Sequence, residues 1–288
     1  MGILWHKLVF QQLSPIHIGK KNYGVISETR LFIPGWTMWG ALVNACGKAE
    51  DASKERFKVI QSNFEKISCF FPLVEANCSE KIPEIKFENG YLFIDGIFEE
   101  ELRLKLTDTY VSTAIESQSI SAKDESLHET EVFLPRTVFD KDNIKEIRNV
   151  FWVGILGVDD SSGIDTFMKS NPEVIVGGDP KYGFGRLKLI SYKELKDNEK
   201  ERYNISDEGK LKVSKDKTLF LDYVQADSLH ILINGKTETI INYDFSGSSP
   251  EISYYNLCFT PGSELKLEPS QLILKKGVFV PEEGEKEE

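Results

Sequence analysis

The twelve residues from Gly177 to Lys188, GGDPKYGFGRLK, hold four glycines and three cations and run directly into the apolar-alternating segment LISY. An ordinary hairpin turn does not call for that composition. Glycine has no Cβ and takes positive φ without steric penalty, so Gly183 and Gly185 let the backbone approach a sugar-phosphate chain and aim N–H groups at its oxygens. Lys181, Arg186 and Lys188 supply charge beside them, and Tyr182 and Phe184 offer rings on which unpaired bases stack. For Phe184, packing into the core is the simpler role. With Gly178 at its start, the stretch reads as a glycine-rich loop feeding a strand.

Around this local basic element the chain is acidic, with a net charge of −11 over 288 residues. That balance excludes a protein that coats nucleic acid without specificity, because phosphate binding leaves a basic footprint, but it permits a local basic groove. Part of the excess lies in the tail PEEGEKEE at 281–288, expected to be solvated and without fixed structure. No apolar run is long enough to span a bilayer, and His6 and Lys7 interrupt the apolar start, so neither a membrane partner nor a signal peptide is expected and the default address is cytoplasmic. The four cysteines, Cys46, Cys69, Cys78 and Cys258, form no CxxC pair and have no histidine at ligand spacing. They are read as reduced thiols, with no metal and no cofactor implied.

Apolar alternation at Leu4, Leu8 and Phe10 stops at Ser14-Pro15, which predicts a first strand and then a loop. A second strand is expected over Thr29 to Ile33, and a helix opening after Pro34-Gly35, with Met38, Leu42, Ala45 and Cys46 on one face. Residues 82 to 106 show two strand-like runs, KFENGYLFIDGIF with a turn at Asn89-Gly90, and ELRLKL. Residues 116 to 130 are polar and aperiodic, a long loop or projecting arm. Lys145 to Leu156 carries Ile147, Val150, Phe151, Gly154 and Ile155 as an apolar stripe and is expected to be a second helix. A charged linker then separates residues 1–195 from a β-rich region, 196–280, with the boundary near residue 196; a decorated single body fits the linker equally well.

The order strand, loop, strand, helix, strands, helix, glycine loop, strand matches a βαββαβ plan with insertions, an α+β, ferredoxin-like (RRM-like) domain. Three blocks give that plan an identity. Ser14-Pro-Ile-His-Ile-Gly19 followed by Phe32-Ile-Pro-Gly-Trp-Thr-Met-Trp-Gly-Ala-Leu42 resembles the signature of the CRISPR-associated RAMP superfamily, in which a His-Ile-Gly turn precedes an Ile-Pro-Gly helix start. Here Trp36, Thr37, Met38 and Trp39 replace the usual Ser-Ser-Leu-Lys. Ser112 to Ile115 with Glu131-Val132 is similar to the family's thumb-like arm, and Gly177 to Arg186 is similar to its glycine-rich loop. The resemblance covers roughly residues 1 to 195.

That resemblance implies a type III effector subunit, either a backbone protomer or the subunit that caps the 5′ handle of the guide. Its implied partners are guide RNA (crRNA) and neighbouring effector subunits, with target RNA a further one. Gly35 and Thr37 at the helix N-terminus form an expected anion site, flanked by Lys20, Lys21 and Arg30. Trp36 and Trp39, three apart, share a helix face suited to base stacking, to a neighbouring subunit or to core packing. RAMP subunits that cut target RNA carry an aspartate in the loop before the Ile-Pro-Gly helix. The corresponding loop, Lys20 to Arg30, has Glu28 as its sole carboxylate, for which an ion pair with Arg30 or another cation is the simpler role. The chain is therefore expected to have no catalytic residues. Two alternatives stay open: a guide-processing nuclease using His17 as acid or base, and a protein-binding scaffold of the same complex.

Overall fold

The computed structural model describes residues 3–141, 144–159, 163–212, 217–226, 230–244, 249–267 and 272–282. It is mixed α/β, mostly strand with few helices. Strand β1 (Ile3–Gln12) is followed by the hairpin β2 (Gly19–Tyr23) and β3 (Ile26–Thr29), the helices α1 (Gly35–Ala49) and α2 (Lys54–Asn63), and β4 (Phe71–Glu75). Next come β5 (Ile85–Glu88), β6 (Tyr91–Ile94), β7 (Ile97–Phe98) and α3 (Glu99–Leu106). An arm of β8 (Thr107–Ser112), β9 (Ile115–Glu116), β10 (Ser121–Ala122) and β11 (His128–Phe133) leads into β12 (Arg136–Lys141) and β13 (Ile144–Asp159). Helix α4 (Ile164–Lys169), β14 (Glu173–Ile175), β15 (Arg186–Glu194) and α5 (Asp197–Arg202) follow. The remainder is all strand: β16 (Thr218–Leu219), β17 (Tyr223–Gln225), β18 (His230–Asn234), β19 (Thr237–Asp244), β20 (Glu251–Phe259), β21 (Glu264–Leu267), β22 (Leu272–Lys275) and β23 (Val278–Pro281).

The central sheet places β1 between β13 and β15, with β4 on the far side of β13, every pair antiparallel. Its spatial order is thus β15, β1, β13, β4, and the connections β1 to β4 and β13 to β15 each carry helix. The arm is a separate sheet, β2-β3-β11-β8, in which β3 and β11 run parallel. All residues of β2 are exposed, and so are four consecutive residues of β8, so the two edge strands of this sheet face solvent while Thr29 of β3 and Thr130, Val132 and Phe133 of β11 are buried.

Several sequence expectations require correction. Lys145 to Leu156 is not a helix but the middle of β13, and Val150 to Val158 are buried without a break. A continuous apolar run fits a buried helix and a fully covered strand equally well. Here the strand is favoured by Val150, Phe151, Trp152, Val153 and Ile155, and by Gly154 and Gly157. A Cβ at Gly154 would fall 2.7 Å from the Phe70 ring, and one at Gly157 3.0 Å from Trp5. ELRLKL is not a strand but the last turns of α3: Leu102 and Leu106, four apart, are buried while Leu104 is 85% exposed, and three glutamates occupy the positive first turn. The second strand does not span Thr29 to Ile33. It ends at Thr29, and Ile33 makes only an isolated bridge to Phe70 before Pro34 starts α1. The arm at 116–130 contains the β9–β10 hairpin and the start of β11.

Residues 196 onward pack closely on the rest. Tyr203 and Ile205 are buried, and one contiguous set of buried side chains runs from Trp5 to Phe279. The seam is tightest where α1 begins: a Cβ on Gly35 would meet Gly277 Cα at 2.5 Å, and one on Gly277 would meet Gly35 Cα at 2.7 Å. Beside it the Cys69 amide donates to Asp222 Oδ1 (2.6 Å). The expected acidic tail beyond Glu282 lies outside the described residues, while Glu282 itself pairs with Lys210 at 3.1 Å. Among the described residues, no helix is long and apolar enough to cross a membrane, and no group of His, Cys, Asp and Glu side chains is placed to hold a metal. All four cysteines are free.

Candidate nucleic-acid interface

The glycine-rich loop is seated on the Ser14–Gly19 turn by backbone hydrogen bonds. Gly178 N–H donates to His17 O (2.9 Å), Gly185 N–H to Pro15 O (2.8 Å), and Arg186 N–H to Ser14 Oγ (2.9 Å). The turn is fixed in its own right, because Ile16 and Phe133 exchange both backbone hydrogen bonds and the His17 ring nitrogen Nδ1 lies 2.7 Å from Glu131 O. A carbonyl only accepts, so Nδ1 carries the proton and donates. His17 is buried, and this places it as a brace between turn and arm.

Within the loop the glycines do different jobs. Gly177 (φ 77°) and Gly185 (φ 87°) are at contact distance from backbone, since a Cβ on either would fall 2.1 Å from His17 O or Val176 O respectively. Gly183 (φ 82°) is exposed, and a Cβ there would meet nothing within 4 Å. The sequence gives Gly183 and Gly185 one shared role; the geometry assigns Gly185 to loop packing and leaves Gly183 as the open backbone position. Residues Pro180–Tyr182 form a single 3-10 turn that ends at Gly183, and this turn holds Lys181 and Tyr182 outward, Tyr182 being 54% exposed. Lys181 makes no ion pair among the described residues, whereas Arg186 pairs with Glu173 at 3.0 Å.

Phe184 is buried, as the simpler expectation has it, but its neighbours are aromatic. Its ring meets Tyr110 of β8 edge-on at 5.5 Å, Tyr110 lies 5.6 Å from Tyr182, and Tyr182 lies 6.2 Å from Phe184. Sequence reading missed Tyr110, for nothing local in TDTYVS says which loop that strand faces.

Of the other expected residues, Trp36 and Thr37 line a cleft of about 270 Å³ between the loop and the start of α1, together with Gly19, Gly177, Glu238 and Ile241 among others, while Lys20, Lys21, Gly35 and Trp39 lie outside its lining. Arg30 also lines it, but its guanidinium is held by Glu238, with a second Arg30–Glu238 contact at 3.0 Å and Tyr223 Oη at 3.1 Å. Burial opposes charge on both partners, yet their mutual hydrogen bonds win: Arg30 sits above its ordinary pKa and Glu238 below the usual carboxylate range. Lys20 pairs with Glu28 (2.9 Å) and Glu28 with Arg103 (3.0 Å), which in turn binds Glu131. Glu28 is thus ion-paired to cations other than Arg30, tying hairpin, α3 and arm together. Lys21 is exposed. Gly35 is buried in the seam, Trp36 packs on Tyr223 with ring centroids 5.2 Å apart, and Trp39 donates to Gln61 O (2.9 Å) beneath Lys276, whose Nζ is 3.8 Å from the ring.

The fold has known counterparts. A chain of the type III-B Cmr-beta assembly bound to cognate target RNA and AMPPnP superposes with a TM-score of 0.58 at 12% identity, covering 91% of this chain and 86% of that one. A chain of the same assembly bound to cognate target RNA gives 0.57 at 11% identity, covering 90% and 86%. No protein-family model matches the chain, and no curated protein matches it in sequence. The chain shares the fold of these type III-B chains, in keeping with the RAMP resemblance of its three sequence blocks.

Proposed function

We propose that this chain is a non-catalytic subunit of a type III CRISPR effector ribonucleoprotein that holds guide RNA against its glycine-rich loop. The carrying observation is Gly183: an exposed backbone at positive φ with open space around it, beside the unpaired Lys181, on a loop seated firmly enough to present both. The Gly183 amide donates to Pro180 O (3.0 Å), so this glycine offers close approach rather than a free donor; that approach and a free cation suit a phosphate, and an adjacent exposed ring suits an unpaired base. The spatial strand order β15, β1, β13, β4, with helix in both crossovers, supports a ferredoxin-like RAMP domain. The likeness to chains of target-RNA-bound type III-B assemblies supports the class, with neighbouring effector subunits and target RNA as partners.

A non-catalytic role accords with the turn. Glu28 is neutralised by Lys20 and Arg103, and His17 uses Nδ1 to brace Glu131. Glu28 is thus committed to structural ion pairs, and His17 is buried at 8% exposure with its ring held by the arm. Sequencing the RNA that copurifies with the native complex tests the proposal. Short RNAs sharing a repeat-derived end are expected, as for a guide capped at its 5′ handle or held along the backbone, and RNA-free complexes would refute it.

A further inference from the structure

Resting on that RNA-binding reading, we infer that Tyr110 of the arm and Tyr182 of the loop form one composite stacking site for an unpaired nucleobase, with Phe184 as its buttress. Tyr110, on β8, and Tyr182, in the 3-10 turn of the loop, are far apart in sequence, yet their ring centroids are 5.6 Å apart, tilted by 44°. Each keeps about half its surface exposed, 43% for Tyr110 and 54% for Tyr182, so each retains a free ring face. Phe184, 6% exposed, meets Tyr110 at 88° and fixes that ring from behind.

The surroundings choose the occupant. Tyr110 lies opposite Thr130 in the arm ladder, and Thr130, Val132 and Phe184 are buried, so this side of the arm is closed beneath the rings. Next to the rings lie the open backbone of Gly183 and the free ammonium of Lys181, one position apart from Tyr182 on either side. A flat apolar ligand that carries an anion within a few ångströms satisfies all four groups, and a nucleotide of a single strand is such a ligand. A wholly apolar partner would leave Lys181 unused, and a bare phosphate would leave both rings unused.

Two binding series on the full chain test the site. The probe is a fluorescein-labelled single-stranded RNA of about 12 nucleotides, and a matched set carries one abasic position at each site along it. Tyr110→Ala is expected to weaken binding on the order of 10-fold with an unchanged salt slope, because stacking releases no counterions. Tyr110→Phe, which keeps the ring, is expected to bind as wild type. One abasic position is expected to weaken wild-type binding and to have no further effect on Tyr110→Ala. If wild type binds this RNA in a salt-dependent way and Tyr110→Ala, folded by its melting curve, binds equally well, the stacking site is wrong while the RNA-binding reading stands. If wild type binds no RNA, the underlying reading fails first. Should Tyr110→Ala prove unfolded, Tyr182→Ala on the outer ring carries the same expectations and the same refutation.

Discussion

Glycine is used in opposite ways in the two regions that meet at the cleft. In the seam, Gly35 and Gly277 let two backbones touch, with no room for a Cβ on either, and the nearby charges, Arg30 with Glu238, are spent on each other. In the loop, Gly183 holds the backbone open to solvent and Lys181 beside it has no carboxylate partner among the described residues. The lesson is that in a chain of net charge −11, a cation is available to an external phosphate only where the fold leaves it locally uncompensated.

The largest effect expected from this contrast is on stability. Gly35→Val drives a side chain into Gly277 backbone and should cost more than about 4 kcal/mol or prevent folding, as read by denaturant titration. A similar size is expected for Asp222, which lies behind the seam with one oxygen bonded to the Cys69 amide and the other buried without a partner. Burial pushes its pKa up to about 7. Because the folded value exceeds the unfolded one, the stability is fully present below pH 4 or so and is lost as pH rises to about 7, the loss amounting to roughly 4 kcal/mol. Asp222→Asn should therefore gain melting temperature over wild type progressively across that window. A gain that is the same at both ends would sink this assignment. Arg30→Ala, leaving Glu238 half-buried with only Tyr223, should cost about 2–3 kcal/mol of stability and leave RNA affinity of the folded protein unchanged.

The same contrast explains what was legible in the sequence. The turn at Ser14–Gly19, the helix start at Pro34-Gly35 and the glycine loop are local: proline and glycine set the backbone there whatever the rest of the chain does. Strand β13 was not legible, because an apolar run has no period of its own and only β1 and β4 on its two flanks make it a strand. Residues near the cleft were found as types but not as roles. Gly35 has its role from Gly277 and Arg30 from Glu238, while Tyr110, which the sequence did not single out, has its role from Tyr182 and Phe184, each a partner that lies distant in the chain.

The smallest effect, and the most direct test, is at the loop. Single-stranded RNA affinity measured at several salt concentrations, beside melting temperature, separates a binding role from a structural one. Lys181→Ala should cost about 1 kcal/mol of binding and lower the salt slope by about one counterion without changing stability. Gly183→Val should cost roughly 1–2 kcal/mol of stability through backbone strain and clearly weaken RNA binding by the folded protein, because the added side chain fills the open space proposed for a phosphate. A folded Gly183→Val protein that binds RNA with wild-type affinity and salt dependence would contradict the account.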